Sequence, residues 1–556
     1  MSSTLLFQAL TLPFFWLLIF LYITGVGFAV APFKNKAGTL NTKYFTWFWY
    51  GLGITVAFLQ VWNLFFPINF YSSLTLLPIA IFGIFKLKKT IIGYKEFKLN
   101  KVVWTLFLLV IIFLSTSSLD NSFIYDTLVY HFYTLKWFNI YPVTKGMGNL
   151  FIYLGFNQSF FLFPAFLNSF WNNYRGACAT NGLLALIICA EIIFKNANHF
   201  KLNQKLSLSS IVQLLFLPLC INAGVQNLSS PTPDVFVNLF TFKILSDLIS
   251  CVEEKNIQFQ DIFLLSFSCV MGVILKMSFV GVAIGVLVVI LWWLYTLKLW
   301  DIKMVCISIL FFLVLIIPWA IRGIISSGYI AFPLSFLGMP VDWKMPKEEL
   351  IGFSAYIKGF ARTHLHGPKG IEAAYNYSWL PNWIKRMLTT VGFMVPLLLF
   401  LGTLLTLKYK KAKVTNLLFI LLPVGISIVI WFFTAPDVRF AVFTFWGLGI
   451  ISLAYLLNEL SLKWMNKFHV FIFICSFLII VRNWNIDLEP LGDLPKQNMS
   501  VYTTKSGLKI NIVKNAPTGD EWQIGDCDIP CSVFPDSNLV LKNNSIQDGF
   551  YLAPKK

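Results

Sequence analysis

The chain has 556 residues, of which 57% are hydrophobic, 17% aromatic and only 12% charged, and its mean hydropathy is +0.72. No soluble domain of that length buries so much apolar surface, which leaves a chain of membrane-spanning helices. The net charge of +18 would suggest nucleic acid in a soluble protein, but the lysines here cluster in short loops between apolar runs, so they read as cytoplasmic anchors and no nucleic-acid partner is implied.

The first apolar run, Leu5 to Ala31, lacks a basic leader and is too long for a signal-peptide core, so it reads as a retained span. Further spans are expected near 44–67, 72–87, 102–119, 177–194, 207–223, 233–250, 261–275, 279–297, 304–318, 387–407, 414–434, 441–457 and 466–481. That is about fourteen helices, an all-α polytopic membrane protein. Lys34, Lys36 and Lys43 place the first connection in the cytoplasm. Lys86, Lys88, Lys89, Lys95, Lys98 and Lys101 do the same for the next, followed by Lys195, Lys201 and Lys205, and then by Lys408, Lys410, Lys411 and Lys413. The connections near 68–72, 224–232 and 435–440 hold almost no Lys or Arg and fall outside, as do both termini. Residues 157–172, interrupted by Pro164, do not fit as a crossing and read as a juxtamembrane or re-entrant helix.

Three segments divide the chain: N-terminal helices over 1–101, a core over 102–481 with large outer loops at 120–176 and 319–386, and an extracytoplasmic tail over 482–556. The tail alternates in Leu508-Lys509-Ile510-Asn511-Ile512-Val513, which predicts strand, and Cys527 and Cys531 are expected to form a disulfide, since no His accompanies them to complete a metal site.

Chemistry is expected where charge meets the outer rim. In the first loop, 124–140 can form an amphipathic helix on the membrane, with Asp126, Tyr130, Tyr133 and Trp137 on one face and His131 about 140° from Asp126. Asp234 follows Ser230-Pro231-Thr232-Pro233 at the mouth of a span, where it would serve equally as a helix cap. Lys276 lies between two apolar runs, Arg322 follows Pro318-Trp319-Ala320-Ile321, and Arg439 follows Ala435-Pro436-Asp437-Val438. Two carboxylates and three cations thus map to one face. A carboxylate can deprotonate a hydroxyl, and Arg and Lys can hold a departing phosphate. No Gly-rich phosphate loop, zinc-type spacing or nucleophile elbow occurs.

At these residues the chain resembles the C-type membrane glycosyltransferases. Asp126 with Tyr130 resembles their acidic first-loop motif, although Thr127 stands where that family often has a second acid. Asp234, Lys276-Met277-Ser278, Pro318 to Arg322 with Gly328 to Pro333, and Ala435 to Phe440 resemble later outer elements. A closer resemblance, carried by Tyr130-His131, Gly146-Met147-Gly148-Asn149-Leu150 and Leu154-Gly155-Phe156-Asn157-Gln158-Ser159, is to an uncharacterised bacterial membrane-protein family with such a core. The resemblance spans roughly 102–460. It implies an inverting transferase in a bacterial inner (plasma) membrane, with its active site toward the periplasm. The donor would be a polyprenyl-phosphate-linked sugar and the acceptor a glycan, lipid or protein. Asp126 would act as general base, with Tyr130, His131, Asp234, Lys276, Arg322 and Arg439 binding substrate. A divalent metal stays open as a cofactor. Two rivals are a polymerase or ligase of lipid-linked glycans, using Arg362, His364 and His366, and a non-enzymatic flippase or transporter, which the gathering of charge at the rim disfavours.

Overall fold

In hydrocarbon every backbone N–H and C=O needs a partner within its own segment, so apolar runs of this length are forced into helices. The computed structural model describes residues 3–31, 40–91, 101–120, 123–197, 206–222, 228–253, 257–299, 301–410, 415–460, 468–484, 494, 498–514 and 520–553. Lys34, Lys36, Lys95, Lys98, Lys201, Lys205, Lys411 and Lys413, on which part of the expected topology rests, lie outside the described residues.

The described chain is mostly helical. Ten helices are long and apolar enough to cross a bilayer, from Leu10–Val30 to Val442–Glu459. The other expected spans fall on Leu40–Trp62, Leu208–Asn222, Phe259–Leu275 and Phe468–Asn483. The apolar stretch Ser159–Asn168 is too short to cross.

Small residues set the closest helix contacts, as expected where lipid supplies no hydrophobic drive between helices. A Cβ on Gly27 would run into the Trp47 carbonyl, and one on Gly51 into the Ile23 carbonyl, so the first two helices touch backbone to backbone. The N-terminal helices are part of the main core. Trp16 donates its indole N–H to Ala179 O (3.0 Å) and Trp49 to Glu191 Oε2 (3.2 Å), both in helix Arg175–Asn196.

A second charged network lies among the helices, away from the outer loops. Lys243 lies ten residues into helix Pro233–Glu253, about 15 Å along it. It pairs with Asp247 and with Glu191 Oε1 (3.4 Å), which also takes Lys195 Nζ at 2.6 Å. Glu191 and Lys243 are both buried. A buried carboxylate facing two ammonium groups ties the two helices; removing it takes a partner from Lys195, Lys243 and the Trp49 indole at once, although Lys243 keeps Asp247. Glu191→Ala should therefore cost about 3–5 kcal/mol, read as unfolding in bicelles, whereas the exposed Lys369→Ala should change nothing.

The second outer segment begins later than expected. Pro318 does not end its span; the helix runs Ile302–Ser327 with Pro318 inside it. Beyond it come helices Lys347–Thr363, Gly367–Glu372 and Leu380–Thr389. The tail folds as two antiparallel hairpins, β1 (Met499–Thr503) with β2 (Lys509–Val513), and β3 (Leu539–Leu541) with β4 (Phe550–Leu552). Cys527 and Cys531 are disulfide-bonded and fully buried.

Candidate functional site

Asp126 precedes a widened π turn over Thr127–His131, in which Phe132 N–H bonds back to Thr127 O. Such turns re-aim side chains locally. The following helix, Phe132–Ile140, does not lie on a membrane surface. Phe132, Tyr133, Leu135 and Trp137 are all fully buried, Tyr133 and Trp137 under the tail and Phe132 against Phe123 and Tyr174.

The part-exposed Asp126 carboxylate faces Arg439, with Oδ2 3.6 Å from Nη1. Arg439 sits on the turn Val438–Phe440, whose geometry Asp437 fixes by accepting Arg439 N–H at 3.0 Å. Asp234 and Lys276 form a second ion pair. The cap in front of Asp234 is Thr232, whose hydroxyl accepts the Asp234 N–H (3.3 Å), which leaves the Asp234 carboxylate free for Lys276. Lys276 lies in extended backbone between helix Phe259–Leu275 and the short turn Met277–Phe279. This break turns its side chain into the cluster. Phe440 joins the two pairs: Arg439 Cζ lies 4.6 Å from its ring centroid and Lys276 Nζ 5.4 Å. Four distant segments therefore bring two acids and two cations around one aromatic ring.

Electrostatics follow from that packing. Burial raises the Asp126 carboxyl above the usual aspartate range; Arg439 and Lys276 pull it back, and Asp234 pushes it further up. Burial disfavours the charged Arg439, but Asp126, Asp234 and Asp437 more than offset it and raise its pKa. His131 is held well below the ordinary histidine range, first by burial and then by Lys276 and Arg439, so it is a neutral imidazole. Its Nδ1 meets Thr127 Oγ1 at 3.0 Å. Tyr130 stacks on Tyr153 (4.9 Å between ring centroids, 12° between planes).

Helix Lys347–Thr363 carries this aromatic wall outward. Phe353 meets Tyr153 edge-on at 5.4 Å and stacks with Tyr356, which in turn stacks with Phe360. At the helix end, His364 takes a left-handed backbone (φ 58°) and its Nε2 lies 2.9 Å from Asp437 Oδ2. Asp437 thus ties this helix to the Arg439 turn. Arg362 is turned inward: it donates to Ala373 O (2.9 Å) and Ala374 O (3.1 Å) and packs on Trp379. His366 Nδ1 meets Tyr356 Oη at 3.0 Å.

Residues 10–446 match the family described as a domain of unknown function, DUF8201. The chain belongs to this family. No curated protein and no solved structure matches it. The DUF8201 match takes in the N-terminal helices that the sequence reading set apart at 1–101 and ends before the tail.

Of the candidate residues, Asp126, Asp234, Lys276 and Arg439 come together in this DUF8201 chain, with Tyr130 and His131 beside them. Arg322 goes elsewhere. Because its helix continues past Pro318, it is buried, donates to Asn63 Oδ1 (2.5 Å) and lies over Phe138. Among the described residues no three His, Cys, Asp or Glu side chains converge as metal ligands. Asp437, Tyr153 and Tyr356 carry no signal of their own in the sequence, although Asp437 lies within the pattern Ala435 to Phe440.

The Asp234–Lys276 pair is only slightly exposed, so breaking it should cost more than deleting it. Lys276→Gln should destabilise by roughly 1–3 kcal/mol, and adding Asp234→Asn should recover part of that loss, measured by thermal unfolding in detergent.

Proposed function

We propose that this chain is a glycosyltransferase of the membrane that moves a sugar from a polyprenyl-phosphate-linked donor to an acceptor on the non-cytoplasmic side. In this reading it crosses a bacterial inner membrane fourteen times and opens its site to the periplasm. The observation that carries the reading is the convergence of the Asp126–Arg439 and Asp234–Lys276 pairs on Phe440. A carboxylate of raised pKa beside two cations matches what the reaction needs: a base for a hydroxyl, and positive charge for a leaving phosphate.

The acceptor hydroxyl gives its proton to Asp126 as its oxygen attacks the anomeric carbon. The bond from that carbon to the phosphate oxygen breaks, and the electron pair leaves with the phosphate, held by Arg439 and Lys276. A single displacement inverts the configuration. Tyr130 and Tyr153 offer a stacked aromatic surface for sugar, and Asp234 keeps Lys276 aimed. The test is transfer of radiolabel from polyprenyl-phosphate sugars to acceptor in proteoliposomes. Donor-dependent transfer by the wild type supports the reading, and its absence across hexosyl and pentosyl donors rejects it.

A ligase or polymerase of lipid-linked glycans is the second reading, favoured by the exposed His364 on Asp437. Arg362, engaged with two backbone carbonyls and Trp379, is poorly placed to serve it. Under that reading His364→Ala abolishes activity; under ours it lowers activity less than Asp126→Asn does.

A further inference from the structure

The tail lies outside the matched family range, yet it grips the stretch that carries Asp126. Tyr125 Oη, one residue before Asp126, donates to Asp520 Oδ2 at 2.8 Å. Gly525 N–H donates to Leu128 O at 2.7 Å, inside the π turn. The disulfide-closed loop then covers the next helix. Cys531 N–H donates to Tyr133 Oη (2.7 Å), and Lys136 Nζ bridges Asp526 Oδ1 (3.1 Å) and Asp528 Oδ1 (2.9 Å).

The same loop is fastened to the first hairpin, because Asn511 in β2 donates its N–H to Pro530 O (2.9 Å) and its side-chain amide to Asp528 O (2.8 Å). A second anchor lies further along the loop. Phe550 N–H donates to Lys145 O at 2.9 Å. Gly146 (φ 62°) is required there, since a side chain would strike the Phe550 carbonyl. Tyr133 and Trp137 are buried under this cover, and an unpartnered Tyr133 hydroxyl or Lys136 ammonium in that position would be costly.

We infer that the tail is a positioning element of the Asp126 site, clamping residues 125–136 so that the Asp126 carboxylate is held opposite Arg439. Among the described residues the tail touches both flanks of Asp126 and not the carboxylate itself, so it acts through the chain on either side of it. Tyr125, Tyr133 and Lys136 are its receptors on the loop. Among the described residues the charged groups facing Asp126 are Arg439, Lys276 and Asp234, none of which belongs to the tail. The clamp therefore controls where the carboxylate stands without altering the charges around it. The inference rests on the transferase reading only for its meaning in catalysis; its geometry stands without it.

The test uses the full-length protein in nanodiscs and the triple variant Tyr125→Phe/Tyr133→Phe/Lys136→Met, which cuts the side-chain ties from the loop and leaves both the tail and Asp126 intact. Amide hydrogen exchange in 125–136 should quicken at least tenfold, with helix Pro233–Glu253 unchanged as the control for folding. The second readout places Asp126→Cys in both backgrounds and compares alkylation at position 126 by iodoacetate and iodoacetamide, followed by peptide mass spectrometry. Arg439 and Lys276 draw in the anionic reagent, so the iodoacetate preference should be present with the clamp and fall severalfold without it. Unchanged exchange would overturn the clamp. Faster exchange with an unchanged reagent preference would show that the tail holds the loop but does not position residue 126, and would overturn the inference too. Failure of the wild type to transfer sugar would remove the transferase reading and leave both of these readouts decisive.

Discussion

Asp126→Asn is expected to abolish sugar transfer, by about 10²–10⁴-fold in kcat, while the purified protein still binds the lipid donor. The change keeps the shape of the side chain and removes only its ability to accept a proton. Binding survives because Arg439 and Lys276, which would hold the phosphate, gain freedom when the carboxylate charge goes. The variant should also be no less stable than the wild type, since burial penalises the ionised Asp126. Steady-state transfer, donor binding and thermal unfolding together distinguish loss of a base from loss of the fold; full activity would remove Asp126 from the mechanism.

How much of this was legible in the sequence depends on range. The helical class was legible because hydrocarbon leaves a long apolar run no alternative to helix, and ten of the described helices are long and apolar enough to cross. Asp234 and Lys276 were legible as charges at breaks between apolar runs, but their partnership was not, because it joins the start of one helix to the end of another. Arg322 and Arg439 look alike in sequence, each just past a Pro at the end of a run. Pro436 does end its helix, leaving Arg439 on an exposed turn, whereas Pro318 is absorbed within a membrane helix and carries Arg322 into the core. Neighbouring side chains can satisfy the backbone around such a proline, and local pattern cannot tell the two cases apart. The same limit hid the Glu191–Lys243–Asp247 network, whose members stand on two different helices. It also hid the tail, whose alternation predicted strand but whose partner surface is made by residues nearly four hundred positions earlier, such as Tyr133 for Cys531 (398 apart).

Arg439→Gln should lower kcat by about 10²–10³-fold, the loss typical of one preorganised donor to a developing anion, and it should also move the pH profile. Asp126 must be ionised to act as base, so activity falls as pH drops through its pKa. Burial sets that pKa above the usual aspartate value, Arg439 and Lys276 draw it down, and Asp234 raises it. Without Arg439 the largest lowering influence is gone, and the acidic limb of kcat/KM should shift to higher pH. Asp234→Asn works in the opposite sense: it deletes a raising charge and releases Lys276, so its limb should shift to lower pH. Arg439→Lys keeps the charge and should hold the limb near wild type while losing the fork of donors, and with it part of kcat. Opposite displacements in the Gln and Asn variants are a demand that a merely structural role for these residues does not make, because disruption of the fold would lower activity without sorting the limbs by sign. Limbs that move together, or not at all, would mean that the base titrating in the profile is not Asp126.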